Sequence, residues 1–189
     1  NTTGASNTGL GKDALRSNTT GNDNVAVGQQ ALEDNTASGN TAVGYASMYQ
    51  NTSGTNNVAL GYLALSQNTT ANLNTAIGND ALQVNTTGAN NVAVGAQALD
   101  ANTTASNNVA VGTWALTDNS TGAGNVAIGR EALQANTVAS NNVGVGYQSL
   151  YSVVNQNYNT AVGNYSLYSN TGEQNTAVGY TALYNNTSG

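Results

Sequence analysis

Apolar and polar residues recur along this chain with one fixed spacing. Successive copies of a five-residue segment, Asn-(Thr/Val)-(Ala/Gly)-(Val/Ile/Leu)-Gly, lie 17 residues apart, with two separations of 16. We number the positions of the repeat from the leading Asn, so that position 1 is Asn91 and position 17 is Asn107 in one copy. The pattern predicts a single repeat array over residues 1–189, open at both ends. Its eleven units begin at Asn7, Asn24, Asn40, Asn57, Asn74, Asn91, Asn108, Asn125, Asn142, Asn159 and Asn175.

The alternation within each unit predicts strands rather than helices. The segment NVAVG alternates large and small side chains, and the Ala-Leu pair at positions 8 and 9 continues the alternation after a Gly corner. The Asn-Thr-Thr-Gly segment that follows is typical of a turn. A unit of this length is too short for a helix pair, which takes about 33 residues. The sequence therefore predicts an all-β fold, a parallel β-solenoid (β-roll) of about eleven 17-residue coils, each with two short strands.

Four nearly invariant positions predict ladders that run along the solenoid. Gly at position 5 indicates a corner with positive φ or a close backbone approach. Leu at position 9 is expected to point into the interior, together with the aliphatic residue at position 4. Asn at positions 1 and 12 predicts ladders in which each side-chain amide donates to the same amide one coil away, with turn preference as the alternative explanation at position 12. In the central coils the ladders comprise Gly95, Gly112, Gly129, Leu99, Leu116, Leu133, Asn91, Asn108, Asn125, Asn102 and Asn119.

The small residues at positions 3 and 8 predict self-association. Ala93 and Ala98 occupy these positions in one coil, and we expect them to face away from the aliphatic side chains. A flat face of Ala side chains suits close packing against another chain. The sequence therefore predicts an oligomer, and a trimer is the closed symmetry that we expect.

Composition excludes most catalytic and several binding chemistries. Only 6% of the residues are charged, whereas Asn alone supplies 33 of the 189. Without His or Cys there is no usual zinc site, thiol nucleophile or Ser-His triad, so we predict no enzyme, metal or cofactor. Three cations are too few for a nucleic-acid interface. No apolar run approaches the roughly 20 residues of a membrane span, so this segment is not expected to insert in a membrane.

Two groups of repeat proteins resemble these units. The segments NTAVGYTALYNNTSG and NVAVGAQALDANTTASN are similar to the NTAVGYxAL arrays of phage tail-fibre-like proteins. They also resemble the head repeats of trimeric autotransporter adhesins (YadA-like heads), although the units of those heads are usually shorter. The resemblance implies a left-handed solenoid and a homotrimer.

The resulting functional hypothesis is a non-enzymatic extracellular fibre segment. It would be the rod of a phage tail fibre or of a bacterial surface adhesin, located on a virion or cell surface, where it extends and presents a binding surface. The alternative is a self-assembling extracellular filament of stacked repeats joined head to tail. A more remote alternative is an ice-binding solenoid, because position 13 carries a column of Thr.

Tyrosines supply the predicted binding surface for a cell-surface glycan or a protein receptor. Positions 6, 7 and 10 carry most of them, and seven of the ten lie after residue 146. Exposed aromatic patches often mark interaction sites, whereas stacking between coils or packing in a groove between chains is the structural alternative. The candidate residues are Tyr45, Tyr49, Tyr62, Tyr147, Tyr151, Tyr165, Tyr168, Tyr180 and Tyr184.

Overall fold

A computed structural model describes residues 3–187, so the first two and last two residues of the predicted array lie outside the described part. The described residues form a parallel β-solenoid of about eleven coils of 17 residues, without a helix. The predicted all-β solenoid is therefore confirmed.

One three-residue strand from each coil builds the main sheet. Its eleven strands are parallel and follow chain order. They are β1 Thr8–Leu10, β2 Val25–Val27, β3 Thr41–Val43, β4 Val58–Leu60, β5 Thr75–Ile77, β6 Val92–Val94, β7 Val109–Val111, β8 Val126–Ile128, β9 Val143–Val145, β10 Thr160–Val162 and β12 Thr176–Val178. A second sheet pairs two short strands, β11 Ser169–Asn170 and β13 Asn185–Asn186.

Strands pair without any shift in register, because equivalent positions of the repeat lie opposite each other. Val92 pairs with Val109, for example, and Val94 with Val111. Backbone hydrogen bonds between coils continue outside the strands, as where the Leu99 N–H donates to the Ala115 carbonyl (3.0 Å). Each coil is thus bonded to its two neighbours along most of its length, so the coils stabilise one another.

The interior is built from Leu and Ala, and the predicted orientation of the strand was wrong. Ala93 at position 3, Ala98 at position 8 and Leu99 at position 9 are all fully buried. Position 4 points outward instead, and its Val94 is partly exposed. The reason is space: the Leu column fills most of the narrow coil, which leaves room for methyl groups beside it but not for Val side chains. The expected flat Ala face therefore does not lie on the surface.

The outward face of the main sheet carries β-branched residues instead. Position 2 holds Val or Thr and position 4 holds Val, Ile or Leu in every coil. Leu60 is 45% exposed and Ile128 is 40% exposed, within a strip that follows the whole sheet. We call these two rows the valine face.

The second strand predicted at positions 8 and 9 is absent, because positions 6–9 form turns in every coil. Within the described residues, only the last two coils have a short second strand, β11 and β13, and it lies further on at positions 11 and 12. Positions 7 and 9 have positive φ in every coil, as in Gln97 (55°) and Leu99 (54°). A left-handed conformation is unfavourable for these side chains by about 1–2 kcal/mol per residue. Hydrogen bonds to both neighbouring coils hold it, since the Gln97 N–H donates to the Asn79 carbonyl (2.9 Å) and the Leu99 N–H bonds forward to Ala115.

Gly at position 5 has both properties expected from the sequence. Its φ lies between 128° and 143° in all eleven coils. A Cβ built on Gly95 would lie 2.5 Å from the Gly112 carbonyl oxygen. Successive corners therefore approach too closely for any side chain.

The Asn ladder at position 12 is confirmed, in a fully buried setting. Asn102 Nδ2 donates to Asn85 Oδ1 (2.8 Å), and Asn119 Nδ2 donates to Asn102 Oδ1 (3.1 Å). The Asn102 amide also donates to the Ala105 carbonyl in its own turn (3.1 Å). Chains of amides stacked in this way satisfy polar groups that the interior would otherwise leave without partners.

At position 1 the predicted amide-to-amide pattern is wrong for the central coils. The Asn108 backbone N–H, not its amide, donates to Asn91 Oδ1 (2.9 Å). The Asn108 amide donates instead to the Gly122 carbonyl (2.9 Å), and thereby ties the start of the strand to the following turn. Asn125 repeats this arrangement with Asn108 and the Ala139 carbonyl.

The ladder at position 12 is interrupted at Val153, which predicts a stabilising substitution. Asn136 Oδ1 is buried and has no hydrogen-bond partner, whereas in central coils the equivalent oxygen accepts from the next amide. Val153→Asn should supply that donor and raise the free energy of unfolding by about 1 kcal/mol, measured by chemical denaturation. Val138→Thr, at an exposed residue in the turn of the preceding coil, is the control and should change stability by less than about 0.5 kcal/mol. A lower stability of Val153→Asn would contradict this account.

Candidate functional site

The chemically diverse side chains lie on one side of the solenoid. Positions 6, 7, 10 and 11, which follow the Gly corner, hold ten of the twelve charged residues, nine of the ten Tyr and the single Trp. We call this surface the variable face. The valine face changes little from coil to coil. The turn at positions 13–17 consists mostly of Asn, Thr, Ser, Gly and Ala, although Asp23, Leu73, Val138, Tyr158 and Glu173 also lie there. Differences that a ligand could recognise are therefore concentrated on the variable face.

Several Tyr rings on the variable face stack directly on one another. Tyr45 and Tyr62 are stacked with their ring centres 5.3 Å apart. A longer stack at position 10 joins Tyr151, Tyr168 and Tyr184, with separations of 5.0 and 4.9 Å and nearly parallel planes. Each separation is close to the spacing of about 4.8 Å between paired strands, so the period of the solenoid sets the geometry of the stack.

A second row of rings lies beside the long stack. Tyr165 contacts Tyr147 edge-on (5.2 Å) and Tyr180 edge-on (6.1 Å), and it is tilted towards Tyr168 (6.0 Å). Desolvation raises the pKa of the Tyr165 phenol, and the charge and hydrogen bond of Tyr147 add to this effect. Desolvation also raises the pKa of Tyr168, with further contributions led by Tyr184. Tyr165, the three rings of the long stack, Tyr147 and Tyr180 thus form one cluster of six rings.

Stacking determines which parts of the rings a partner could contact. Tyr168 lies between two parallel rings, so both of its faces are covered within the protein. Tyr180 is 74% exposed and Tyr62 is 52% exposed, whereas Tyr49 is half-buried. The proposed receptor or glycan surface remains a prediction. Within the long stack, it would present ring edges and hydroxyl groups rather than open ring faces.

A cation lies between aromatic rings where the Tyr cluster begins. The Arg130 guanidinium carbon is 5.2 Å from the Trp114 ring centre and 5.9 Å from that of Tyr147. Its Nη2 also forms a salt bridge with the Glu131 carboxylate (2.7 Å), which Gln148 contacts from the next coil. This group is not evident in the sequence, because Trp114, Arg130 and Tyr147 become neighbours only when three coils stack.

A second ion pair has a structural role near the start of the array. The Glu33 side chain is 1% exposed and forms a salt bridge with Arg16 from the preceding coil. Glu33 Oε2 is buried without a hydrogen-bond partner. Arg16 Nη2 also lies 3.8 Å from Asp34 Oδ1, so this guanidinium is shared between two carboxylates, and a buried carboxylate with no other partner depends on its counter-ion.

The proximity of the Asp80 and Asp100 carboxyl groups predicts that the stability of the fold depends on pH. Desolvation, followed by the charge of Asp80, raises the pKa of the half-buried Asp100 carboxyl. A carboxyl whose pKa is raised by folding favours the folded state fully below its unfolded pKa, and this contribution is lost as the pH rises through the folded value. Asp100→Asn should therefore raise the denaturation midpoint at about pH 7, and the difference from the parent chain should disappear at about pH 3.

Asp23→Asn is the matched control, because it makes the same charge change at an exposed residue. It should leave the midpoint nearly unchanged at both pH values. A midpoint of Asp100→Asn that is equal to that of the parent at neutral pH, or lower, would contradict the role assigned to Asp100.

The Thr column at position 13 bonds within the protein. Thr69 Oγ1 donates to the Thr86 carbonyl (3.0 Å), and Thr86 Oγ1 donates to the Thr103 carbonyl (3.0 Å). These hydroxyl protons are used between coils, which gives the column a structural role. The remote ice-binding hypothesis was based on this column.

Within residues 3–187 we find no cavity and no group of three acidic side chains able to hold a metal ion. That part of the chain also contains no helix of the length and apolarity that a membrane span requires. Comparisons with protein-family models, curated proteins and solved structures gave no match to this chain.

Proposed function

We propose that this chain is a non-enzymatic segment of an extracellular fibre, the rod of a phage tail fibre or a bacterial surface adhesin. The observation that carries the proposal is the division of one continuous solenoid into a uniform valine face and a variable face. A uniform apolar face suits association with copies of the same chain, whereas the variable face suits recognition of a partner. The fibre holds the variable face away from the virion or cell surface and presents it to a glycan or protein receptor.

We further propose that three chains associate through the valine face, as left-handed solenoids. Two rows of Val, Ile, Leu and Thr side chains along a rod on the order of 50 Å form an apolar strip of roughly 500 Å². Apolar patches of this size are often functional, and monomeric proteins rarely expose larger ones. The proposed interface thus uses positions 2 and 4, not the Ala residues at positions 3 and 8, which are buried within the chain. The trimer and the hand of the coil rest on the resemblance to YadA-like heads.

The proposal is tested by the mass and shape of the chain in solution. Sedimentation should give three times the chain mass of 19.0 kDa, and X-ray scattering should give an elongated particle. Val94→Lys combined with Val111→Lys should produce monomers that keep the β-type circular dichroism. Val84→Lys is the control, because Val84 is equally apolar but lies on the variable face at position 11.

Three other outcomes would overturn the proposal. A compact monomeric parent chain would exclude a fibre that associates through the valine face. A discrete dimer would replace the trimer. Mass that increases continuously with concentration would favour the alternative of a self-assembling filament.

A further inference from the structure

The group around Arg130 is distinct from the rest of the variable face. Trp114 and Tyr147 border the guanidinium along the solenoid axis, one from each neighbouring coil. Arg130 is also the single cation between residues 17 and 187, in a chain of net charge −6. Its side chain is 57% exposed, so the positive charge remains accessible to solvent.

Neighbouring side chains of the same chain hold the Arg130 guanidinium in place. The Glu131 side chain, 10% exposed, binds one guanidinium nitrogen, and Gln148 donates to the same carboxylate. Trp114 is fixed in turn, since its Nε1 donates to Gln97 Oε1 (2.5 Å). A guanidinium that is already oriented loses little conformational entropy when it binds an anion.

We propose that Arg130, Trp114 and Tyr147 bind a sugar residue that carries a single carboxylate. The planar guanidinium matches a carboxylate with two parallel hydrogen bonds. The apolar C–H groups of a sugar ring can pack on the parts of the two aromatic rings that remain exposed. This site rests on the proposed receptor-presenting role of the variable face and names the class of ligand. From Tyr147, the cluster around Tyr165 would extend the contact along an oligosaccharide.

The charges of the chain define which anion fits. An acidic rod repels polyanions such as sulfated polysaccharides, and one cation can neutralise only one anionic group. No pocket is found within residues 3–187, and an open surface suits a sugar chain better than a small apolar ligand, which needs a concave site. Two other places on the variable face each have one part of this group. Within the described residues, Tyr45 and Tyr62 form a stack without a cation over it, and Lys12 is a cation at position 6 without a ring contact.

Saturation-transfer NMR on the full chain tests the site with two probes, methyl β-glucuronide and methyl β-glucoside, which differ in one carboxylate. The glucuronide should bind about tenfold more tightly, and its advantage should decrease with added salt. Arg130→Gln should abolish the preference while Gln keeps a donor for Glu131. Trp114→Gln, which introduces the residue found at position 7 in other coils, should weaken the binding of both probes. Lys12→Gln, the cation control, should bind both like the parent.

Several results would overturn the site. These are no transfer to either probe, equal transfer to both, and a glucuronide preference that survives Arg130→Gln. Stronger transfer to an acetylated, amidated Asp would assign the cation to acidic peptides instead of sugars. The mass measurement above separates this site from the fibre: an elongated trimer that binds neither probe contradicts only the sugar site, whereas a compact monomer contradicts the fibre.

Discussion

Gly112→Ala is expected to prevent folding of the central coils or to lower the free energy of unfolding by more than about 4 kcal/mol. The new Cβ would lie 2.6 Å from both the carbonyl carbon and oxygen of Gly129, and the backbone there adopts a φ of 136°. Both atoms belong to the backbone of the next coil, so no side chain can rotate away. To relieve the contact, two coils would have to separate, and the hydrogen bonds between them would break.

Chemical denaturation followed by circular dichroism measures the effect, with Gly9→Ala as the matched control. Gly9 lies at position 3, where most coils already have Ala. A Cβ there would meet its nearest neighbours, the Ala14 carbonyl oxygen and Leu15 Cδ1, at an ordinary 3.6 Å. The control should change stability by no more than about 1 kcal/mol, with either sign. If Gly112→Ala and Gly9→Ala unfolded at the same denaturant concentration, close packing of the corners would not explain the invariant Gly.

Features that every coil repeats could be predicted from the sequence, because the stacking imposes one requirement on all copies. The period gives the number of coils, and the position-12 Asn forms the ladder that a repeated buried amide predicts. Gly at position 5 has the expected positive φ for the same reason.

The direction of the strand could not be predicted from alternation alone. Alternation defines two faces but does not say which is inside, and the larger apolar residue was assigned to the core. A relevant signal was present, since position 3 admits only Ala or Gly while position 4 admits Val, Ile or Leu. Restriction to the smallest side chains indicates limited space more directly than hydrophobicity does. The predicted second strand failed for another reason: Leu disfavours positive φ, so its left-handed conformation at position 9 depends on bonds to neighbouring coils.

Position 15 also indicates limited space, because Gly and Ala alternate there between coils. Gly54, Gly88 and Gly122 are 34 residues apart, and Ala71 and Ala105 occupy the intervening coils. A Cβ on Gly88 would lie 2.1 Å from the Ala105 carbonyl oxygen, which already accepts hydrogen bonds from the Asn ladder. The repeat therefore has a two-coil period in its turns, which a search for one 17-residue unit overlooks.

The candidate site was predictable only in part. The Tyr column at position 10 follows from the period, and the structure stacks three of its rings. The group of Trp114, Arg130 and Tyr147 mixes positions 6 and 7 from three coils, so no single column contains it. Neighbours of this kind depend on how long side chains lean across adjacent coils, which the period does not specify.

Asn102→Val is expected to lower the free energy of unfolding by about 2–4 kcal/mol. The substitution removes two donated hydrogen bonds and the bond accepted from Asn119 Nδ2. It leaves Asn85 Oδ1 buried without its donor, while Asn119 still donates to the Gly122 carbonyl (3.0 Å). An unpaired buried acceptor retains its full desolvation penalty, which exceeds the small gain from an added apolar group.

The chain contains its own precedent, because Val153 occupies the same position and leaves Asn136 Oδ1 unpaired. Chemical denaturation of Asn102→Val should therefore show a lower midpoint, and Thr104→Val, at an exposed residue of the same turn, should change stability by less than about 0.5 kcal/mol. A chain carrying both Asn102→Val and Val153→Asn separates the two effects. These sites are three coils apart and share no partner, so their free-energy changes should add. Equal stability of Asn102→Val and the parent would show that backbone bonding alone holds the coils together.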